Sequence, residues 1–415
     1  MRRSLVFASA LALALAIPLG QAGAQQQRPA QREAVRIGIL SDMSGSFADV
    51  AGPGSVVAAP RAAGGGGGRA GGLPVQIVSG DHQNRADVGS ALARRWVDVE
   101  GVDAIVDLPN SAVALAVGDV VRNANRTMLV TAAVTTRLTG DACSPNAIHY
   151  SLDNWSMANV PSRALVQQGG STWFYITADY VFGHDLEQQS ANAVRRAGGQ
   201  VLGSVRHPLG TADFSSVLLQ AQASRAQVAA LANSQADFIN AMKQAGEFGL
   251  TRRGQRVLGL AVYVSDIVSL GLEPTQGAIV TGNWYWDLND GTRDFARRFA
   301  ARHNGRMPTA LQANVYAAVL HYLKAVDAVG GSTDGRAVVA RMKAMPTDDR
   351  IFGRGSIRAD GRRMSPVYVF QVKAPGESSG PYDVYRLVRE VPVEEAYRPI
   401  EEGGCPLVAG GGRGR

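Results

Sequence analysis

The strongest constraint on this chain is an alternation. Short β-branched runs are followed by helix-length amphipathic segments, and the series occurs twice. The first begins with Val35-Arg-Ile-Gly-Ile-Leu40, Pro74-Val-Gln-Ile-Val-Ser79, Asp103-Ala-Ile-Val-Asp-Leu108 and Thr127-Met-Leu-Val-Thr131. These runs are apolar on both alternations, as in parallel strands covered on both faces by crossover helices. Val88, Leu92, Trp96 and Val99 recur between them at helical spacing, which predicts a helix lying on a sheet. The second series follows Tyr150-Ser-Leu-Asp153, with strands over 172–177, 201–206, 228–233 and 256–263 and helices over 183–196, 214–223 and 238–249. Three helical stretches (292–303, 310–329, 335–345) and two strand-like runs (351–358, 367–372) complete the pattern. The fold class is therefore α/β, with two similar lobes of mainly parallel sheet flanked by helices.

One stretch breaks the rhythm. A first crossover helix is required after Val57, yet Ala59 to Gly72 carries a proline and seven glycines. Proline costs about 3 kcal/mol inside a helix and each glycine about 1, so the run argues against a helix there. Gly66, Gly68 and Gly71 match a dinucleotide-binding GxGxxG, but the match does not sit directly after a strand, and a run of glycines fits almost any such pattern.

The compartment is written at the N-terminus. Arg2 and Arg3 precede an apolar run from Leu5 to Ile17, then Pro18 and the small triplet Ala22-Gly23-Ala24. That is the order of a secretory signal, and the run is well short of the ~20 apolar residues that span a bilayer. The expected mature protein is exported and soluble. In an oxidising compartment the two cysteines, Cys143 and Cys405, favour a disulfide, with two buried thiols as the alternative. The net charge of +7 is scattered along the chain, which argues against a nucleic-acid groove.

No catalytic pattern emerges. Gly-x-Ser-x-Gly, a P-loop, HExxH and an EF-hand loop are all missing, and the histidines show no zinc-ligand spacing. Asp179, His184 and Asp185 read as a solvated helix start, and Asp287 to Asp290 as a turn and cap. What remains is a set of loops at the carboxyl ends of strands, where an open α/β sheet binds ligands. They are Ser41 to Asp49, which includes Ser44 and Phe47; Asn110-Ser111 at a helix start; and Ala132 to Thr135. Helix-terminal amides and small hydroxyls suit a carboxylate, though ordinary capping explains any one loop equally well. Tyr180, Phe182 and Trp284 lie at strand ends, whereas Trp173 and Tyr175 alternate within a strand and belong to a core.

At these loops the chain resembles the type I periplasmic solute-binding proteins of the branched-chain (hydrophobic) amino acid group, the soluble receptors of ABC importers. The matching stretches are Ile37-Gly-Ile-Leu-Ser-Asp-Met-Ser-Gly45, Gly80-Asp-His-Gln-Asn84, Asp107-Leu-Pro-Asn-Ser111, Leu138-Thr-Gly140, Thr177-Ala-Asp-Tyr-Val-Phe-Gly183, Thr211-Ala-Asp-Phe-Ser215, Gln244-Ala-Gly-Glu-Phe-Gly249 and Tyr285-Trp-Asp-Leu288. The resemblance covers Val35 to about Val408.

It implies two lobes joined by three hinge crossovers, with ligand trapped between them. The implied limits are a signal peptide over 1–24, a leader over 25–34, a first lobe over 35–152 and 284–350, a second over 153–283 and 351–395, a tail over 396–408 tied back to the first lobe by a Cys143–Cys405 disulfide, and a disordered end over 409–415. The expected ligand contacts, from the loops and aromatics above together with the resemblance, are Ser44, Phe47, Asn110, Ser111, Ala133, Thr135, Tyr180, Phe182, Asp266 and Trp284. Asn110, Ser111, Ala133 and Thr135 match the family's carboxylate site, and Phe182 stands where its amino acid receptors have a tyrosine. Asp266 is the nearest candidate for an ammonium partner, with Asp49 as another. The expected role is non-catalytic capture of a small carboxylate-bearing solute in the periplasm and delivery to a membrane permease, by a monomer without cofactor or metal. An aromatic acid is expected ahead of a hydrophobic amino acid, with amides and urea-like solutes behind. A sensor domain of the same fold and a Rossmann-type oxidoreductase are the alternatives.

Overall fold

A computed structural model describes residues 33–62, 68–251 and 254–408. The expected signal peptide, all but the end of the leader, the centre of the glycine run and residues 409–415 lie outside the described residues.

The first series builds β1 (Val35–Ser41), α1 (Gly52–Ala62), β2 (Arg69–Ala70), β3 (Leu73–Asp81), α2 (Ala86–Asp98), β4 (Ala104–Asp107), α3 (Ser111–Asn123), β5 (Thr127–Val130) and β6 (Ala147–His149). The second builds α4 (Asn154–Gln167), β7 (Thr172–Ala178), α5 (Val181–Arg196), β8 (Gln200–His207), α6 (Ser215–Ala223), β9 (Val228–Ala232), α7 (Ala236–Glu247), β10 (Arg256–Gly259), α8 (Val264–Leu270) and β11 (Ile279–Gly282). Then come α9 (Asp290–Ala300), α10 (Ala310–Ala328), α11 (Gly335–Ala344), β12 (Thr347–Asp349), β13 (Gly353–Ile357), β14 (Arg363–Met364), β15 (Val367–Val372), β16 (Tyr385–Val391) and α12 (Val393–Ala396).

The two series fold alike. In the first sheet β3, β1, β4 and β5 lie side by side and parallel, extended by β6 and by an antiparallel β2. In the second, β8, β7, β9 and β10 repeat that order. Successive residues of one strand enter different cores: Tyr175 packs with Trp173 and Leu186, whereas Ile176 packs with Phe214 and Leu231. The same holds for Ala104 and Ile105 in the first sheet. Burial on both faces is why these runs carry no polar alternation.

The helix that the glycine run argued against is present. α1 packs on α10 through Ala58, Ala59 and Ala62, all buried, and Pro60 is exposed in the last turn. A proline so near the helix end forfeits one ladder hydrogen bond and leaves the buried alanine face intact. The glycines after it have a steric reason at one point. Gly71 has φ +57, and a Cβ there would come 2.2 Å from the Gly331 Cα. Its N–H donates to Asp327 Oδ1 at 2.5 Å, which seats this turn on the end of α10.

The chain crosses between the lobes at 150–153, after β11, and near Arg362. Arg362 is 1% exposed and ties the first crossover to the third. Its guanidinium donates to Asp153 Oδ2 at 3.0 Å, to His149 Nδ1 at 2.6 Å and to the Ser151 carbonyl. The C-terminal tail makes a further link. Tyr397 is packed in the second-lobe core, Arg398 donates to the Thr136 carbonyl at 3.1 Å, and Cys405 is bonded to Cys143 with a Cα separation of 5.7 Å.

The bond joins residues 262 apart in sequence. In the chain-entropy account a ring that long stabilises by roughly 5 kcal/mol, less where the denatured chain stays compact. Reduction, or Cys405→Ser, is therefore expected to lower the urea midpoint and to steepen the slope, because the denatured chain expands once the ring is opened. A midpoint indifferent to reductant would show that the tail contributes no stability.

Candidate functional site

In both sheets the strand order reverses beside the first strand of the series, between β1 and β4 and between β7 and β9. Loops leaving the carboxyl ends on either side of such a reversal diverge and open a crevice.

In the first lobe the loop after β1 is shaped by Asp42. Its carboxylate accepts from Gly45 N at 2.8 Å, Phe47 N at 2.9 Å and Asn84 Nδ2 at 2.6 Å. That fold-back buries Phe47 with Val50, Ala132 and Leu311. After β4, Asp107 and Leu108 hold φ +90 and +65, a region costly for residues with a Cβ. The turn delivers Asn110, whose Oδ1 caps α3 by accepting from Ala112 N at 2.9 Å and Val113 N at 3.2 Å, and Ser111, which is buried. Burial pushes the Asp107 carboxyl up to about 6, against hydrogen bonds from Ser41, Ser55 and Thr131.

After β5, the Ala133 carbonyl accepts from His149 Nε2 at 2.7 Å and Ser151 Oγ at 2.6 Å, and Thr135 Oγ1 accepts from Arg137 N at 3.4 Å. Desolvation and the adjacent Arg362 keep His149 neutral, well below the usual histidine range. Its Nε2–H therefore serves Ala133 while its Nδ1 accepts from Arg362.

In the second lobe Tyr180 and Phe182 open α5 with ring centroids 5.6 Å apart. Gly183 lets the helix start against β7, since a Cβ there would lie 2.1 Å from the Ala178 carbonyl oxygen. Two of the contacts between the lobes bear on the site. Asp185 accepts from Thr136 N and Oγ1, both at 2.7 Å, so this acid is an interlobe anchor and not the solvated helix start that its position suggested. Tyr263 packs against both the Phe182 cluster and the Phe47 cluster.

The residues expected to touch ligand are not all brought together. Phe47, Asn110, Ser111, Ala133, Thr135 and Phe182 are buried at the facing strand ends, with Tyr180 half-buried beside Phe182. Ser44 is exposed, its Oγ committed to Asp81 Oδ2 at 2.9 Å. Trp284 is buried edge-on against Phe295, 6.1 Å between centroids, and lines a cavity of about 40 Å³ at the floor of the cleft. Asp266 is fully buried; its Oδ2 accepts from Tyr263 N at 2.8 Å, and its Oδ1 finds no partner among the described residues.

Sequence reasoning missed two features. Tyr263 was read as the end of a strand, but β10 stops at Gly259 and Tyr263 instead precedes α8. The loop after β9 also escaped notice. Asn233, Ser234, Gln235 and Asp237 are buried there with Asn233 Oδ1, Ser234 Oγ, Gln235 Nε2 and Asp237 Oδ1 unpartnered among the described residues, and Gln235 has φ +55. The signal was available, since three polar residues directly follow an all-apolar strand. Among the described residues no group of three or more His, Cys, Asp or Glu is placed to hold a metal ion.

Paired sheets with facing loops are a shared architecture. The model of the family described as Periplasmic binding protein matches residues 34–380. The chain belongs to this family. A periplasmic binding protein from Burkholderia mallei is 42% identical, with 90% of this chain and 99% of that one covered and a TM-score of 0.88. A branched chain amino acid ABC transporter periplasmic ligand-binding protein from Burkholderia xenovorans is 39% identical over 90% and 99%, with a TM-score of 0.78. The Leu/Ile/Val-binding protein homolog 6 of Brucella suis is 27% identical over 340 residues, 80% of this chain and 85% of the relative. Periplasmic binding proteins of ABC transporters bind small molecules and deliver them to permeases. No helix of the described residues is long and apolar enough to cross a membrane.

In this periplasmic binding protein the buried Asp266 gives a test that needs no ligand. Burial pushes its carboxyl from 3.8 to about 8. Across that window the unfolded chain gives up its proton first, so stability falls as pH rises through it. Asp266→Asn keeps an acceptor for Tyr263 N–H and removes this loss. Its stability relative to the parent should grow on the order of a few kcal/mol between pH 5 and 9. A difference that stays constant over that range in denaturant titrations would contradict the assignment.

Proposed function

We propose that this protein captures a small carboxylic acid with an apolar, aromatic body in the periplasm and delivers it to the permease of an ABC importer, without catalysis. The observation that carries the reading is the meeting, at facing strand ends, of a buried helix-capping loop and aromatic side chains from both lobes. The carboxylate is taken by the first lobe, from the Ser111 amide and hydroxyl and the loop from Ala133 to Thr135, where a helix start favours negative charge. Phe47, Tyr180, Phe182 and Tyr263 supply faces for an apolar ring, with Trp284 beneath. Ser44 serves at the rim, and the loop from Asn233 to Gln235 closes from the second lobe.

In this reading residues 1–24 are a cleaved export signal. The first lobe takes 35–152 and the second 153–283; the first resumes at 284 and, since Ile351, Phe352 and Ile357 pack with its core, runs on to the crossover near Arg362 instead of ending at 350, leaving the stretch from there to 395 to the second. Ligand favours closure only by the extra contacts it makes in the closed state.

A second reading is a hydrophobic amino acid. It is favoured by the open Asp266 Oδ1, which an ammonium would satisfy, and by the name of the Burkholderia xenovorans relative. An ammonium buried without such a partner would be costly.

Calorimetry separates the two. Benzoate- and phenylpropanoid-type acids are expected to bind and leucine and valine to be silent, without nucleotide or metal. Tight leucine binding with no response to aromatic acids would move the assignment to the second reading. Small-angle scattering is expected to show a smaller radius of gyration at saturation with the bound acid, and an unchanged profile would argue against closure.

A further inference from the structure

The floor cavity is walled by both lobes and by the crossover after β11. Val134, Leu152 and Leu311 approach from one side, Tyr263, Val280 and Phe370 from the other. Most of the wall is apolar, and besides Tyr263 the polar side chains in it divide into two groups. Asn283 and Tyr285 are committed: Asn283 Nδ2 donates to Asn314 Oδ1 at 3.2 Å, and the Tyr285 hydroxyl donates to the Tyr382 carbonyl at 2.6 Å and accepts from Val384 N at 3.1 Å. Thr281, Trp284 and Tyr385 are not. They are 8%, 4% and 7% exposed, and Thr281 Oγ1, Trp284 Nε1 and the Tyr385 hydroxyl find no partner among the described residues.

Buried polar atoms are almost always paired, so three open ones around one cavity mark a place where something polar is received. Their chemistry restricts what that is. An indole N–H can only donate, which disfavours an ammonium; the two hydroxyls can donate or accept. The cavity, at about 40 Å³, holds a hydroxyl-sized group and is too small for a ring. It adjoins Val134, between the two residues proposed to hold the carboxylate, and Tyr263, which joins the aromatic clusters.

We propose that the floor cavity is a subsite for a hydroxyl on the far end of the ligand's ring, so that the solute is a hydroxylated aromatic acid selected over its unhydroxylated parent by Thr281, Trp284 and Tyr385. This rests on the aromatic-acid reading above. A phenol hydroxyl accepts from Trp284 Nε1 and donates to a neighbouring hydroxyl, whereas the parent acid leaves all three groups unmet. Discrimination therefore comes from the wall's own unsatisfied atoms, the arrangement that rejects a ligand lacking the group most strongly.

The experiment compares matched pairs by calorimetry on the whole protein: benzoate against 4-hydroxybenzoate, and 3-phenylpropionate against 3-(4-hydroxyphenyl)propionate, with leucine as a separate arm. In at least one pair the hydroxylated acid is expected to bind about tenfold more tightly. In Thr281→Val and in Tyr385→Phe that ratio should narrow to about threefold or less, read within each variant so that a general loss of affinity cancels. Should one variant fail to fold, the other reads the same ratio. Equal affinities within both pairs, or a ratio unchanged in the folded variants, would overturn the subsite and leave the aromatic-acid reading standing. Leucine binding with silence from all four acids would remove both.

Discussion

The hinge depends on one buried charge. Arg362 lies in the third crossover with almost no exposure, and its guanidinium is shared among Asp153, His149 and the Ser151 carbonyl of the first. A charge in that position is tolerable only while its partners stay in place, since removing one leaves the other buried and uncompensated at a cost of about 3–5 kcal/mol. The first and third crossovers are therefore locked to one another. The lock also reaches the candidate site, because the histidine that accepts from Arg362 donates through its other nitrogen to Ala133. Hinge geometry and the orientation of the Ala133 peptide are set by the same chain of hydrogen bonds.

The repeated sheet order explains why a site forms between the lobes at all. Each sheet has its own strand-order reversal, where the loops leaving the carboxyl ends diverge. Phe47 and Phe182 belong to separate cores, and Tyr263 is the side chain that touches both. Facing half-sites of this kind favour a ligand that both can contact at once.

The architecture was legible because burial on both faces leaves a plain mark. Parallel strands such as Val228–Ala232 are wholly apolar, and the helices between them carry one apolar stripe. Legibility failed where tertiary contact overrode local preference. α1 forms despite Pro60 because its buried face is alanine packed on α10. β16 carries no alternation, since every residue between Tyr385 and Val391 is exposed. In the site, capping and aromatic residues could be picked out by type. Asp185 could not, because nothing local says that Thr136, 49 residues away, supplies its donors. The floor cavity was hidden for the same reason, since its open polar atoms come from two distant segments, Thr281 and Trp284 about β11 and Tyr385 at the start of β16.

The covalent link from Cys143 to Cys405 turns everything between them into a closed ring, and the whole second lobe lies inside it. Tension applied between the two ends of the chain runs through the first part of the first lobe, across the sulfurs and out along the tail. The second lobe is outside that load path. A pulling machine that grips both termini would meet the sheet of β1, β3 and β4 as its first mechanical obstacle, and the second lobe would stay unloaded until the bond is reduced. A protease cut within the ring would likewise leave two fragments tethered, so the second lobe is the half best insulated from events at the termini.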